Sequence, residues 1–127
     1  MTPIALRYLR ASFGFLIWGI LIGLHLSAAL HLGRGSAGAG YLSAHTHVVM
    51  VGFLLMGIAG LALWKLPEPA PGTHAALPAI CWWALVVLVL SRSTLEVLTG
   101  YASWSWLHPA VFGVSCVEAL VLFALGR

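Results

Sequence analysis

Residues 42–66, LSAHTHVVMVGFLLMGIAGLALWKL, form the stretch that decides the fold. Apart from two histidines near its start and one lysine near its end, this stretch is almost wholly apolar. A helix needs about 20 mostly apolar residues to cross the roughly 30 Å hydrocarbon layer of a bilayer. The stretch is therefore predicted to span a membrane, and the two polar rings in its first turns need an explanation.

Three further runs, residues 9–31, 76–99 and 107–125, have the same length and character. The chain of 127 residues is 61% hydrophobic and 7% charged, and it contains no Asp, Asn or Gln. Such a composition is typical of a membrane protein. The sequence therefore predicts an all-α integral membrane protein, with residues 1–127 forming a single domain of four transmembrane helices. The short connections favour an up-down bundle of sequential neighbours.

The basic residues predict the orientation of the helices. One side of the predicted membrane carries Arg7, Arg10, Lys65 and Arg127, whereas Arg34 alone lies in the loops of the other side. By the positive-inside rule both termini are cytoplasmic, and we place the chain in the inner membrane of a bacterium. The formal charge of +3 comes mostly from these flanks, so the expected partner is the lipid bilayer and not a nucleic acid.

All four predicted helices bring polar side chains to one layer near the outer surface. At 1.5 Å of rise per residue this layer lies about 5–10 Å deep. It contains His25, His45, His47, Arg92, Glu96 and His108. Ionisable groups in a membrane are costly unless they are paired, face a cavity or bind a ligand, so the shared depth indicates a site. Rings that only hydrogen-bond at the interface are the plainer alternative.

Arg92 and Glu96 are four residues apart and share a helix face. They could simply neutralise each other. Arg92 could instead receive an anionic group of a cofactor, while Glu96 orients a histidine ring.

His45 and His47 point about 200° apart on a regular helix, so they cannot both face one centre. The His45 face continues through Gly52, Met56 and Ala59, of which Gly52 and Ala59 are small, whereas the His47 face continues through a bulky aliphatic row. A flat macrocycle needs small residues beneath it, because the backbone must approach closely. We therefore expect His45 to be the ligand, with Gly52 and Met56 on the cofactor side.

Histidines without thiolates or many carboxylates suit haem iron, copper or zinc. A copper or zinc ion would gather its ligands within about 2.0–2.2 Å of one point, and the candidates are His25, His45 or His47, His108 and Glu96. A haem asks instead for axial histidines on facing helices, an apolar slot and cations near its carboxylates. The apolar bundle meets this demand better.

The second axial ligand of such a haem is predicted to be His108 or His25. His108 is favoured because Pro109 suits the first turn of the fourth helix, which places the His108 ring at the level of the other histidines. Arg92 or Arg34 would hold the propionates.

Residues 45–67, HTHVVMVGFLLMGIAGLALWKLP, resemble the second helix of the catalytic subunit of haem-copper oxidases and nitric-oxide reductases. In that family a histidine followed by Thr or Gly opens a long aliphatic helix and ligates the low-spin haem. His45, followed by Thr46, stands at the equivalent position. The resemblance covers about the first two helices. The later helices that supply the family's other haem and copper ligands are absent, and no HPEVY-like stretch occurs.

The resemblance implies a b-type haem near the outer surface, whose iron transfers an electron or binds a gas such as nitric oxide. It does not imply oxygen reduction by this chain alone, and whether any reaction is catalysed stays open. Two alternatives remain: a copper- or zinc-binding protein that supports an oxidase, and an accessory subunit without a cofactor. A redox partner or oxidase complex, and a homo-oligomer, are further expectations.

Overall fold

The computed structural model describes residues 1–33, 38–65 and 76–126, which form four long helices. In chain order these are α1 (Pro3–Leu32), α2 (Ala39–His47, continued by Val48–Leu55 and Met56–Lys65), α3 (Leu77–Leu98) and α4 (Leu107–Leu125). All four are long and apolar enough to cross a membrane. The prediction of four apolar helices is therefore confirmed, and this number suggests a multi-pass membrane protein.

The ends of α1 follow from local capping. The hydroxyl of Thr2 accepts a hydrogen bond from the backbone N–H of Ala5 at 3.3 Å, and Pro3 occupies the first turn. At the other end Gly33 adopts the left-handed conformation, with φ of 60°. The helix begins before the apolar run that predicted it, because a cap fixes where a helix starts whereas hydropathy marks only its apolar part.

The helices α1 and α2 run antiparallel and in close contact. A Cβ at Gly60 would lie 3.1 Å from Tyr8, one at Gly52 would lie 2.7 Å from Phe15, and one at Gly19 would lie 2.8 Å from Val49. Each glycine therefore lets the opposite helix approach, as small residues do in membrane bundles. The side of α1 that carries Gly19 faces α2 of the same chain.

The middle of α2, Val48–Leu55, is a π-helix. Its backbone closes wider turns than an α-helix, and π-helical turns occur frequently at functional sites. The Ser12 hydroxyl of α1 donates a hydrogen bond to the Phe53 carbonyl in this segment at 2.8 Å. Buried residues follow one another at a spacing of four along α2: Ala44, Val48, Gly52, Met56 and Gly60.

The third and fourth helices complete the fold. In the described residues α3 packs against both α2 and α4, while the backbone of α4 contacts α3 alone. Large apolar side chains project outward from all four helices, among them Phe13, Leu24, Ile58, Ile80 and Phe112. The ends of α1 and α3 and the beginnings of α2 and α4 meet at one end of the fold, which we call the histidine end.

Candidate functional site

The ring of His45 lies against α1 and is held there by the backbone. Nδ1 lies 2.8 Å from the carbonyl oxygen of Gly19, so Nδ1–H is the donor and Nε2 carries the lone pair. A Cβ at Gly23 would lie 2.8 Å from Cε1 of this ring and 3.0 Å from Nδ1. Only a glycine at this position leaves room for the ring. Among the described residues Nε2 has no hydrogen-bond partner.

The slot predicted beneath His45 holds a side chain of this protein. The ring of Phe15 lies against Gly52, and Met56 is fully buried in the hydrophobic core that also contains Phe15. The assignment of Gly52 and Met56 to a cofactor stays a prediction.

His47 points to the opposite side of α2, as the 200° separation predicted. Its Nε2 lies 3.1 Å from a carboxylate oxygen of Glu118 on α4, and both side chains are buried. The other oxygen of Glu118 lies 3.5 Å from Nη1 of Arg92 on α3. These contacts join three helices. The backbones of α2 and α4 do not contact each other in the described residues, so these side chains connect the two helices.

Glu96 and Arg92 form the ion pair that their spacing of four predicts. The Nε of Arg92 donates to Oε1 of Glu96 at 3.3 Å, and the Ser43 hydroxyl donates to the same oxygen at 2.8 Å. Oε2 of Glu96 is fully buried and has no hydrogen-bond partner within the described part of the chain. We call His47, Glu118, Arg92, Glu96 and Ser43 the polar cluster.

A cavity of about 440 Å³ lies beside the polar cluster. Its walls come from two helices: Leu42, Ser43, Thr46, His47 and Met50 of α2, and Arg92 of α3. Arg92 is one-quarter exposed, but its guanidinium already contacts two carboxylates. Its assignment to a cofactor propionate stays a prediction, and Arg34 lies outside the described residues.

The two candidates for a second axial ligand occupy different places. His25 is exposed on α1 and stacks on Tyr41, with ring centroids 4.9 Å apart. Tyr41 lies one turn before His45 on α2 and is hydrogen-bonded to the Tyr101 hydroxyl. His108 is exposed at the start of α4, whose described backbone packs on α3 and not on α1. The structure therefore brings His25, but not His108, to the helix contact that contains His45.

The residues expected to gather around copper or zinc are divided between two faces of α2. His25 and His45 lie on the α1 side, whereas His47 and Glu96 lie on the side of α3 and α4. Across residues 1–33, 38–65 and 76–126, no three His, Cys, Asp or Glu side chains converge as metal ligands.

Two side-chain contacts of the candidate site were not predicted from the sequence. The pairing of His47 with Glu118 joins residues that are 71 positions apart. Its one signal in the sequence was Glu118 itself, an acid in an apolar run that needs a buried partner. The Gly19 carbonyl that holds His45 had no signal, because every helical residue offers the same backbone group.

Comparison with known proteins adds no relative. No family model matches the chain, and neither the curated proteins nor the solved structures compared with it give a match.

Proposed function

We propose that this chain is a membrane haem protein in which His45 is an axial ligand of a b-type haem near the outer surface. The observation that carries the proposal is the 2.8 Å hydrogen bond between Nδ1 of His45 and the Gly19 carbonyl. Histidines that bind metals usually donate their other ring N–H to a carbonyl or carboxylate, which fixes the tautomer and the ring orientation. His45 has this arrangement, and Nε2 is the nitrogen that it leaves for iron.

The donor set around His45 fits one axial ligand. An imidazole with no competing thiolate suits haem iron, and the resemblance of residues 45–67 to a haem-binding helix supports the same residue. When bound, the haem would supply an iron that exchanges one electron or binds a gas such as nitric oxide. The role of the protein chain is to hold the imidazole in place. The Gly19 carbonyl accepts the hydrogen bond from Nδ1–H, and Gly23 leaves space for the ring.

For the second axial position the contacts support His25 over His108. His25 stacks on Tyr41, one helical turn from His45 and at the same contact between α1 and α2. If the iron has no second histidine, its free position would accept a gas.

We also propose that both termini are cytoplasmic and that the membrane is the inner membrane of a bacterium. A one-electron redox partner or an oxidase complex would then bind at the outer side.

An absorption spectrum of the purified chain, expressed with ample haem, tests the proposal. We expect a Soret band in the wild-type protein that is lost in His45→Gly and restored by added imidazole, which fills the space of the missing ring. His31→Ala is the matched control, because His31 is an exposed histidine at the end of the same bundle. A wild-type protein without a Soret band, or a His45→Gly variant that keeps the band without imidazole, refutes the proposal.

A further inference from the structure

We propose that the groove between α1 and α3 holds one acyl chain of an anionic phospholipid, whose phosphate group binds Arg7. The groove has a volume of about 320 Å³. Its walls include Ala11, Gly14 and Trp18 of α1, and Trp82, Val86 and Leu90 of α3. The site is separate from His45, which lies in the contact between α1 and α2. It does not depend on a bound haem.

The length and chemistry of the groove match one acyl chain. At helical rise, the segment from Ala11 to Trp18 is about 10 Å long, and the segment from Trp82 to Leu90 is about 12 Å long. One leaflet of a bilayer contributes about half of the roughly 30 Å hydrocarbon layer. The groove therefore runs along most of one leaflet, and the side chains that line it are apolar or aromatic.

The groove is open on the side of the fold that faces away from the other helices. Trp18 is 42% exposed and Leu90 is 44% exposed. A Cβ at Gly14 would meet no atom within 4 Å, whereas one at Gly52 would lie 2.7 Å from Phe15. Gly52 thus accommodates a neighbouring helix, but Gly14 leaves space that no described residue fills. An acyl chain of the surrounding bilayer can enter this space from the side.

A positive charge lies at one end of the groove. Helical residues at positions i, i+4 and i+11 share a face, so Arg7 lies on the same stripe of α1 as Ala11 and Trp18. Its Cα lies about 6 Å beyond that of Ala11 at helical rise, toward the end of the fold opposite the histidine end. Arg7 is exposed, and so is the neighbouring Arg10. Within the described ranges, neither arginine forms an ion pair.

Phosphate is the anion that suits an arginine at this position. The guanidinium offers parallel N–H donors that match two phosphate oxygens. Glu96 and Glu118, the acids in the described part of the chain, contact Arg92 and not Arg7. In a phospholipid the phosphate lies just outside the acyl chains, as Arg7 lies just outside the groove. The charge and the groove therefore fit two parts of the same molecule.

Native mass spectrometry of the full-length chain, incubated in detergent with phosphatidylglycerol or phosphatidylcholine, tests the site. We expect the wild type to retain one phosphatidylglycerol per chain. It should bind this lipid at least about fivefold more tightly than phosphatidylcholine, because one arginine near the surface favours an anionic lipid by about that factor. Gly14→Leu should fill the groove and abolish the retention. Arg7→Gln should keep a bound lipid but lower the preference for phosphatidylglycerol about fivefold.

Two matched control variants should bind lipid like the wild type. Gly113→Leu adds the same side chain at a glycine of α4 whose Cβ would also meet no atom within 4 Å. Lys65→Gln removes a positive charge from the end of α2, which does not line the groove. Equal binding of the two lipids by the wild type, undiminished retention in Gly14→Leu, or an equal loss in either control overturns the proposal. Arg7 is exposed, so its variant is expected to fold and tests the headgroup independently of Gly14→Leu.

Discussion

Replacement of Gly23 by alanine tests the contact that positions His45. The new Cβ would lie 2.8 Å from Cε1 of the His45 ring and 3.0 Å from Nδ1, so the ring has to move. Movement breaks the hydrogen bond to the Gly19 carbonyl, which contributes about 1 kcal/mol. Forcing an extra methyl group into a packed contact costs a further 1–3 kcal/mol, approximately. We therefore expect Gly23→Ala to lose about 2–4 kcal/mol in the free energy of unfolding relative to a glycine-to-alanine change at an open position of the same helix.

Gly14→Ala is the matched control. Gly14 lies on the same helix, and a Cβ there would meet no atom within 4 Å. Both variants gain the same helix propensity, about 1 kcal/mol, so this gain cancels in their difference. Unfolding of both variants by a denaturing detergent, followed by circular dichroism, measures that difference. If Gly23→Ala proves as stable as Gly14→Ala, the packing of His45 on α1 is wrong. If haem is bound, Gly23→Ala should also shift or weaken the Soret band while Gly14→Ala leaves it unchanged.

Two other substitutions test the contacts of α2 with the third and fourth helices. Glu118→Gln removes the charge that faces His47 and Arg92, and we expect a loss of about 1–3 kcal/mol in the free energy of unfolding. Substitutions at ordinary surface positions change this free energy by less than about 0.5 kcal/mol. A change that small in Glu118→Gln would show that the contact is not formed. Gly40→Ala would make its Cβ overlap the backbone carbonyl of Glu96, which cannot rotate away. We expect a loss of about 3 kcal/mol or failure to fold, measured by detergent unfolding and by yield, and a stable, well-folded Gly40→Ala protein would contradict the packing of α2 on α3.

Contacts between residues close together in the sequence were predicted correctly, because they depend only on the geometry of one helix. The pairing of Arg92 with Glu96 was predictable, because four residues make one turn of any α-helix. The divergence of His45 from His47 was predictable for the same reason, since two residues of a regular α-helix separate side chains by about 200°. The residues beneath His45 were harder to predict, because a π-helix in α2 changes the angle between successive side chains.

The sequence by itself determined four apolar helices and a layer of polar side chains near one end of them, because hydropathy and helical rise depend only on residue type and spacing. The tertiary structure decided which side chains meet. Phe15 lies in the space left by Gly52, and Glu118 lies against His47 across 71 positions. Such contacts depend on how helices approach and rotate against one another, and many helix arrangements bury the same apolar residues. Packing therefore selects partners that no local pattern identifies.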